Sequence, residues 1–182
     1  MITLEDAQSH VMKNIKTLND ENVHLLQGRN RAITEPILSN ESIPPFDNTA
    51  VDGYAVKAID TKGATQETPI SLTVLETIAA GKPPTFAIQS GECSKIMTGA
   101  PIPDGADAVV MVERTEQQEN GSVVAIEEEV SKGQHIRRSG EDLEPGDLVI
   151  PQGTILNAAH LGLLASLGIY QITTVRIPTV GV

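Results

Sequence analysis

Turn-forming residues recur every few positions between residues 45 and 141, and this spacing limits the middle of the chain to short strands. The turn signals are Asp52-Gly53, Gly81-Lys82-Pro83-Pro84, Gly91, Gly99-Ala100-Pro101, Pro103-Asp104-Gly105, Asn120-Gly121 and Lys132-Gly133. Runs rich in apolar and β-branched residues lie between them, at 70–78, 95–97, 108–112 and 122–126. Asn120-Gly121 separates two regions of strand character and predicts a hairpin. We therefore predict a small, mostly β domain here.

The two flanking regions carry helical patterns. Residues 3–18 place apolar side chains at helical spacing, and Thr3 with Asp6 resembles a capping box. A second short helix is predicted at 23–26. After the β-rich region we predict strands at 148–150, 154–156 and 169–177, and a helix capped by Asn157 that ends at Gly168.

This order of elements predicts an α+β fold with a discontinuous first domain. Residues 1–43 and 143–178 would form that helix-plus-strand domain, and residues 44–142 would form the inserted β-rich domain. The apolar run that ends the sequence is typical of a chain interrupted within a structural element. Residues 179–182 are therefore expected to begin a third, truncated domain.

Composition excludes several classes of partner. The 182 residues carry a net charge of −11 and only four aromatic side chains, Phe46, Phe86, Tyr54 and Tyr170. Such a chain lacks both the positive surface and the stacking platform of a nucleic-acid binder, and it suits an anionic membrane no better. The longest apolar-rich run, 156–175, is too polar to span a bilayer. The single cysteine, and a first segment that is acidic and therefore unlike a signal peptide, predict a soluble cytoplasmic protein.

Familiar short motifs are weak in this chain. Gly81-Lys82 is followed by Pro83 and lacks the earlier glycine of a phosphate-binding loop, so a tight turn is the better interpretation. The four histidines have no spacing that suits a metal site. Cys93 has no apparent partner and is expected to be a small buried apolar residue.

Three segments are denser in functional residue types than turns require. The first, PPFDNTAVDGYAV at 44–56, carries Asp47 and Asp52 five residues apart. The second, IMTGAP at 96–101, offers the Thr98 hydroxyl and exposed backbone N–H groups to an oxyanion. The third, IRRSGED at 136–142, sets adjacent arginines beside adjacent acids. Each segment taken alone is also compatible with an ordinary turn or a solvated salt-bridged loop.

Together the three segments resemble the signature blocks of the molybdopterin molybdenumtransferase family, which includes the E domain of gephyrin. PPFDNTAVDGYAV, IMTGAPIPDGADAVVMVE and GQHIRRSGEDLEPGD follow in the family's order, and LGLLASLGI is similar to its closing helix. Thr49 stands where the family usually has Ser, and Val51 where it usually has Met. The resemblance covers nearly the whole chain but does not include the family's third, pterin-binding domain or its fourth.

The resemblance implies an enzyme of molybdenum cofactor biosynthesis. It would insert molybdenum from molybdate into adenylylated molybdopterin with release of AMP, use Mg²⁺, and act as a cytoplasmic homodimer. The resemblance implies catalytic roles for Asp52, Thr98 and Asp142. Asp52 and Asp142 would also hold the metal, and substrate-binding roles fall to Asp47, Arg137, Arg138 and Ser139. We expect Asp52, Thr98 and Asp142 to share one face of the β-rich domain, bordered by an arginine.

Two other functions remain open at this stage. The chain could be a non-catalytic dimerisation or scaffold module of the same family, because the family's first domain forms much of the dimer interface. It could also be a free-standing relative that binds another ligand.

Overall fold

The structure, a computed structural model, describes residues 2–181 and contains two α-helices and twelve strands within that range. The helices are α1 (Leu4–Asn14) and α2 (Ala158–Ser166). The strands are β1 (Asp20–His24), β2 (Ile37–Leu38), β3 (Asn48–Thr49), β4 (Gly53–Val56), β5 (Ile70–Ile78), β6 (Glu92–Ile96), β7 (Ala108–Met111), β8 (Thr115–Gln118), β9 (Val123–Ile126), β10 (Ile136–Arg137), β11 (Leu148–Ile150) and β12 (Gln171–Val175). The α+β class is therefore confirmed.

The chain divides into two compact units. One unit is continuous, from Glu41 to Glu144, and we call it the β unit. The other combines the residues up to Asn40 with those from Pro145 onward, and we call it the split unit.

A curled six-stranded sheet forms the β unit, with strand order β7-β4-β6-β5-β9-β8. All neighbours are antiparallel except β5 and β6, which run parallel. One core cluster centres on Tyr54, Cys93 and Ile126. Tyr54 is fully buried, and its hydroxyl accepts a hydrogen bond from the side-chain amide of Gln117 in β8. The Tyr54 side chain thus links β4 to the edge strand β8 through its hydroxyl, and its ring is the one aromatic group of this core cluster.

Turn chemistry sets the lengths of these strands, as the sequence predicts. The β8–β9 hairpin reverses at Asn120-Gly121, where both residues have positive φ. Asn and Gly tolerate that backbone conformation better than other residues. The predicted hairpin is confirmed, and the predicted strands at 95–97 and 122–126 appear shifted by one to three residues as β6 and β9.

The split unit packs α2 against two short sheets, β1–β12 and β2–β11. Helix α2 begins at a capping box in which the Asn157 side chain accepts from the His160 N–H and the His160 ring accepts from the Asn157 N–H. Leu164 of α2 is fully buried in the core cluster of this unit.

Two local predictions for the split unit are wrong. The segment 23–26, predicted as a helix, forms the end of β1 followed by a single 3₁₀ turn, because the preceding residues pair with β12. The segment 154–156, predicted as a strand, makes only an isolated bridge between Ile155 and Ala32. Partner strands distant in sequence decide both outcomes, and local propensity does not encode them.

Helix α1 is shorter than predicted and buries none of its side chains. Thr3 caps its start through the Asp6 N–H, as expected, but the backbone turns extended at Ile15. The apolar stripe that the sequence predicts is present and exposed: Leu4 is 69 % exposed and Val11 55 %. Within residues 2–181 no helix is long and apolar enough to cross a membrane.

Gly53 is expected to be essential for the stability of the β unit, because the structure leaves no room for a side chain at this position. A Cβ built on Gly53 would lie 2.0 Å from the Val110 carbonyl oxygen, a backbone atom of the neighbouring strand. We expect Gly53→Ala to lower the free energy of unfolding of the β unit by roughly 3 kcal/mol, the upper end of overpacking effects. Gly63→Ala is the control, because its Cβ would meet nothing within 4 Å and only its positive φ costs, about 1 kcal/mol.

Urea titrations followed by tyrosine fluorescence measure both variants. In a Tyr170→Phe background the remaining signal comes from Tyr54 inside the β unit. Equal destabilisation by the two substitutions would show that the close approach of Val110 is not what requires glycine at position 53.

Candidate functional site

Strand β3 brings the three sequence motifs together. One edge of β3 pairs with β10, which carries Arg137. On its other side the Thr49 N–H donates to the Ala100 carbonyl (3.1 Å), and the Thr49 carbonyl accepts from the Gly99 N–H (2.9 Å). The motifs around Asp52, Thr98 and Arg137 therefore lie side by side through main-chain contacts of one two-residue strand.

Asp52 and Thr98 form a direct pair at this junction. The Asp52 Oδ1 accepts two hydrogen bonds from Thr98, one from its backbone N–H and one from its hydroxyl, each 2.7 Å long. Both residues are exposed to solvent. The Thr98 N–H, followed by the Thr98 hydroxyl, holds the pKa of Asp52 below its usual value, and nearby Lys95 contributes in the same direction. Asp52 is thus an ionised carboxylate with one oxygen fixed by the protein.

The arginine motif forms a second charged group. Arg137 donates from Nε to Glu141 (2.5 Å) and from Nη2 to Asp142 (2.6 Å). The second Glu141 oxygen accepts from the Arg138 N–H at 2.9 Å. Hydrogen bonds to Glu141 and then to Asp142 raise the pKa of the Arg137 guanidinium. The loop therefore closes on itself around one guanidinium.

Asp47 links that loop to the first motif. It accepts from the backbone N–H of Ser139 (2.8 Å) and from Nη1 of Arg138 (2.5 Å). The Ser139 N–H is the main reason that the pKa of Asp47 is lowered; burial opposes the shift and Arg138 adds to it. Asp47 is half-buried, whereas Arg138 and Ser139 are exposed. Its contacts fix the course of the arginine loop beside β3.

The predicted site residues therefore fall into two bonded groups, which we call the Asp52–Thr98 pair and the arginine loop. The arginine loop comprises Arg137, Arg138, Ser139, Glu141 and Asp142, and Asp47 of the first motif bonds to it. In the part of the chain that the structure describes, no hydrogen bond or ion pair joins Asp52 to Asp142. The shared junction at β3 brings the segments together, and the catalytic and substrate-binding roles stay predictions.

Two charged residues near these groups escape prediction from the sequence. Glu141 lies inside the third motif and holds Arg137 and Arg138 through both carboxylate oxygens, a role visible only once the loop is folded. Lys95 is opposite Tyr54 in the β4–β6 ladder and so lies close to Asp52. Its position 43 residues from Asp52 along the chain carries no local signal.

A preformed metal centre is absent from the part of the chain described. Among residues 2–181 no group of three or more His, Cys, Asp or Glu side chains is arranged to hold a metal ion. Mg²⁺ commonly needs only one or two carboxylates, because substrate phosphates and water supply its other ligands. The second oxygen of Asp52 suits that mode of binding, whereas Asp142 already contacts Arg137.

Thr98 provides a direct test of the Asp52–Thr98 pair. Thr98→Val removes the hydroxyl but keeps the backbone N–H, the larger cause of the shift, so the pKa of Asp52 should rise while staying below its usual value. Because the folded-state pKa is the lower one, this contact stabilises the protein at neutral pH, and its contribution is lost as pH falls through the folded-state pKa. A ¹³C NMR titration of the carboxyl carbons measures the change.

Thr73→Val, at an exposed position of β5, should leave the titration of Asp52 as it is in the wild type. An Asp52 pKa that does not move in Thr98→Val would show that the hydroxyl contact is absent in solution.

Comparison with known proteins identifies the family of this chain. Residues 2–168 match the family described as MoeA N-terminal region (domain I and II). Molybdopterin molybdenumtransferase 2 of Mycobacterium tuberculosis is 40% identical over 174 residues, which cover 94% of this chain and 42% of that protein. Molybdopterin molybdenumtransferase of Haemophilus influenzae is 38% identical over 183 residues, covering 100% of this chain and 44% of that protein.

The fold is similar to that of a solved structure as well. The crystal structure of the molybdopterin biosynthesis moeA protein from Pyrococcus horikoshii OT3 has a TM-score of 0.87 and 35% sequence identity. The similarity covers 96% of this chain and 46% of that one. The chain spans less than half the length of the relatives that it matches. Because the family match extends over most of its residues, the chain belongs to the family of MoeA N-terminal regions.

Proposed function

We propose that this chain is the amino-terminal part of an enzyme of molybdenum cofactor biosynthesis. The enzyme would insert molybdenum from molybdate into adenylylated molybdopterin and release AMP. The observation that carries the proposal is the Asp52–Thr98 pair, joined through β3 to the arginine loop in a chain whose relatives are named molybdopterin molybdenumtransferase. A carboxylate with a fixed direction, joined through β3 to a loop that carries two guanidinium groups, suits chemistry on phosphates and oxyanions.

Charge is the main obstacle that such a reaction must overcome. Molybdate and an adenylylated pterin are both anions, and the chain itself carries a net charge of −11. Arg137 and Arg138 place two permanent positive charges in one exposed loop. The contacts of Arg137 use Nε and Nη2, which leaves Nη1 for a phosphate oxygen. Their carboxylate partners therefore orient these guanidinium groups without occupying all of their donors.

We propose that Mg²⁺ binds to the second oxygen of Asp52 together with substrate phosphates. Bound there, the ion would neutralise phosphate charge. The protein's own contribution is to keep Asp52 ionised and oriented through Thr98. Thr98 would act by orienting Asp52, because its hydroxyl and its N–H both donate to Oδ1 of that carboxylate, and Asp142 would position Arg137.

A scaffold function is the second candidate, and the exposed apolar stripe of α1 favours it. Leu4 and Val11 of α1 are 69 % and 55 % exposed, and Ile15, which directly follows the helix, is 61 % exposed. Helix α1 has no buried residue, which is unusual for an amphipathic helix in a folded protein. We propose that this stripe packs against its counterpart in a homodimer. A dimerising scaffold and an enzyme are compatible, because one chain can supply both surfaces.

We also propose that the protein works in a reducing, cytoplasmic compartment. Cys93 is fully buried, and burial raises the pKa of its thiol to about 12. A thiol in this state is unreactive. The dithiolene sulfurs of the pterin would be the ligands of the metal, so no cysteine of the chain is needed for that role.

Asp52→Asn separates the catalytic from the structural interpretation of this carboxylate. Asparagine keeps an oxygen that accepts from Thr98, so the midpoint of urea unfolding should stay close to that of the wild type. Loss of the negative charge should lower the rate of molybdenum insertion at least ~100-fold. The rate is measured on adenylylated molybdopterin with molybdate and Mg²⁺, in the natural gene product that contains this chain.

The matched control is Glu116→Gln, which removes one charge at an exposed position of β8. Its insertion rate should equal that of the wild type. Full activity of Asp52→Asn would exclude Asp52 from the reaction. Strong destabilisation by the same substitution would show that Asp52 has a structural role in forming the turn.

Dimerisation is tested by placing a charge within the stripe of α1. Val11→Asp would bury an unpaired carboxylate in the proposed interface and should weaken the dimer at least ~10-fold. Light scattering coupled to size exclusion should show a dimer of the 19.3 kDa chain for the wild type and the monomer for the variant. Ser9→Asp adds the same charge on the polar side of α1 and should leave the mass unchanged. A monomeric wild-type chain would contradict the interface.

A further inference from the structure

A half-buried lysine of β6, Lys95, lies on the same face of the sheet as Asp52. Lys95 is directly opposite Tyr54 in the β4–β6 ladder, and Asp52 precedes Tyr54 by two residues. The Val112 N–H donates to the Asp52 carbonyl at 3.0 Å, which continues the β4–β7 register by one residue beyond Gly53. Side chains two positions apart on an extended strand share a face, so Asp52 and Lys95 are diagonal neighbours, about 7 Å apart at their Cβ atoms.

The ammonium group of Lys95 has no carboxylate partner of its own. Among the residues that the structure describes, none of the ion pairs includes Lys95. The N–H and the hydroxyl of Thr98 lower the pKa of Asp52 most, and the positive charge of Lys95 lowers it further. Both Thr98 groups donate to Oδ1 of Asp52. An unpaired positive charge therefore lies beside a carboxylate whose second oxygen can take a ligand.

A divalent cation on Asp52 meets two obstacles at this place. One carboxylate supplies only part of its coordination shell, and within residues 2–181 no group of three His, Cys, Asp or Glu side chains is arranged to supply the rest. Lys95 also repels the ion, because both are positively charged and only a few ångströms separate them. A bound oxyanion would remove both obstacles, since it brings oxygen ligands and negative charge together.

We infer that Lys95 makes the binding of a divalent cation at Asp52 depend on a bound oxyanion. An oxyanion paired with the ammonium group would cancel the repulsion and offer its own oxygens to the ion. Without the oxyanion, Lys95 balances the charge of Asp52 and disfavours the cation. The inference rests on the proposed function, in which the cation is Mg²⁺, and adds a coupling to it: each of the two ligands strengthens the binding of the other.

A packing role for Lys95 is the simplest alternative. Its side chain is half-buried next to Tyr54, and the apolar stem of a lysine can cover a core while its charge stays in water. Lys95→Met separates the two roles, because methionine keeps an unbranched apolar stem and removes the charge. Lys95→Gln removes the charge with a polar side chain and gives a second neutral variant.

The experiment measures Mg²⁺ binding to this chain by the carboxyl ¹³C NMR signal of Asp52. Titrations are run at constant pH and low ionic strength, with and without inorganic phosphate. For the wild type, phosphate should lower the Kd of Mg²⁺ several-fold. For Lys95→Met and Lys95→Gln, the Kd without phosphate should be roughly three- to fivefold below that of the wild type, as expected when one charge at this separation is removed. Phosphate should then have little further effect.

Two controls keep the test specific to the charge at position 95. Lys95→Arg retains the positive charge and should behave as the wild type in both titrations. Lys62→Met removes a lysine charge at an exposed position elsewhere in the β unit and should change neither Kd.

The outcomes separate this inference from the proposed function. Equal Mg²⁺ affinity of the wild type and the neutral variants overturns the inference, and so does a phosphate effect that persists without the lysine. An Asp52 signal that Mg²⁺ leaves unmoved in every protein also overturns it, while molybdenum insertion is decided by its own assay. The coupling found in a protein that inserts no molybdenum would support the role of Lys95 and contradict the proposed function alone.

Discussion

The main-chain contacts of β3 are the constraint on which the rest of the candidate site depends. Thr49 uses both its N–H and its carbonyl to hold the second motif, and β3 pairs on its other edge with the start of the third. The Thr49 side chain, which is 1 % exposed, is engaged as well: its hydroxyl contacts both the carbonyl and the N–H of Val51. That contact shapes the turn that leads to Asp52. A serine at this position would carry the same hydroxyl, so the contact does not depend on the threonine methyl group.

The ion pairs of the arginine loop have a role in orientation more than in stability. Exposed pairs typically contribute at most about 1 kcal/mol, because water screens them and long side chains lose freedom. Yet Arg137 is bound by two carboxylates, and Asp47 and Glu141 accept hydrogen bonds from the backbone N–H groups of Ser139 and Arg138. Hydrogen bonds to backbone N–H groups determine the path of a loop, whereas an isolated ion pair between two exposed side chains does not. The carboxylates beside the arginines therefore do not remove the ability of this loop to bind an anion. They orient the guanidinium groups and so set the direction from which an anion can bind.

Much of the fold follows from local features of the sequence, and the misses share one cause. Asn120-Gly121 requires a hairpin, and Asn157 begins α2, because both depend on neighbours within a few residues. The segment at 23–26 is strand and 3₁₀ turn because β12, about 150 residues away, supplies its partner. Lys95 reaches Asp52 for the same reason, through the β4–β6 ladder. Motif resemblance selects the candidate segments, but which of their side chains form hydrogen bonds with one another depends on strand pairing that no local pattern carries.

Asp52 shows how an exposed carboxylate can still have a defined direction. Burial does not constrain it, and water can reach it. Its Oδ1 is nevertheless fixed by two donors of one residue, and its own carbonyl accepts from the Val112 N–H at 3.0 Å. The next residue, Gly53, lies so close to Val110 that the backbone there cannot shift without moving β7. With one oxygen fixed and the main chain anchored, the other oxygen must point in a set direction. A group arranged in this way loses little freedom when an ion or substrate binds, which is the condition that catalysis by positioning requires.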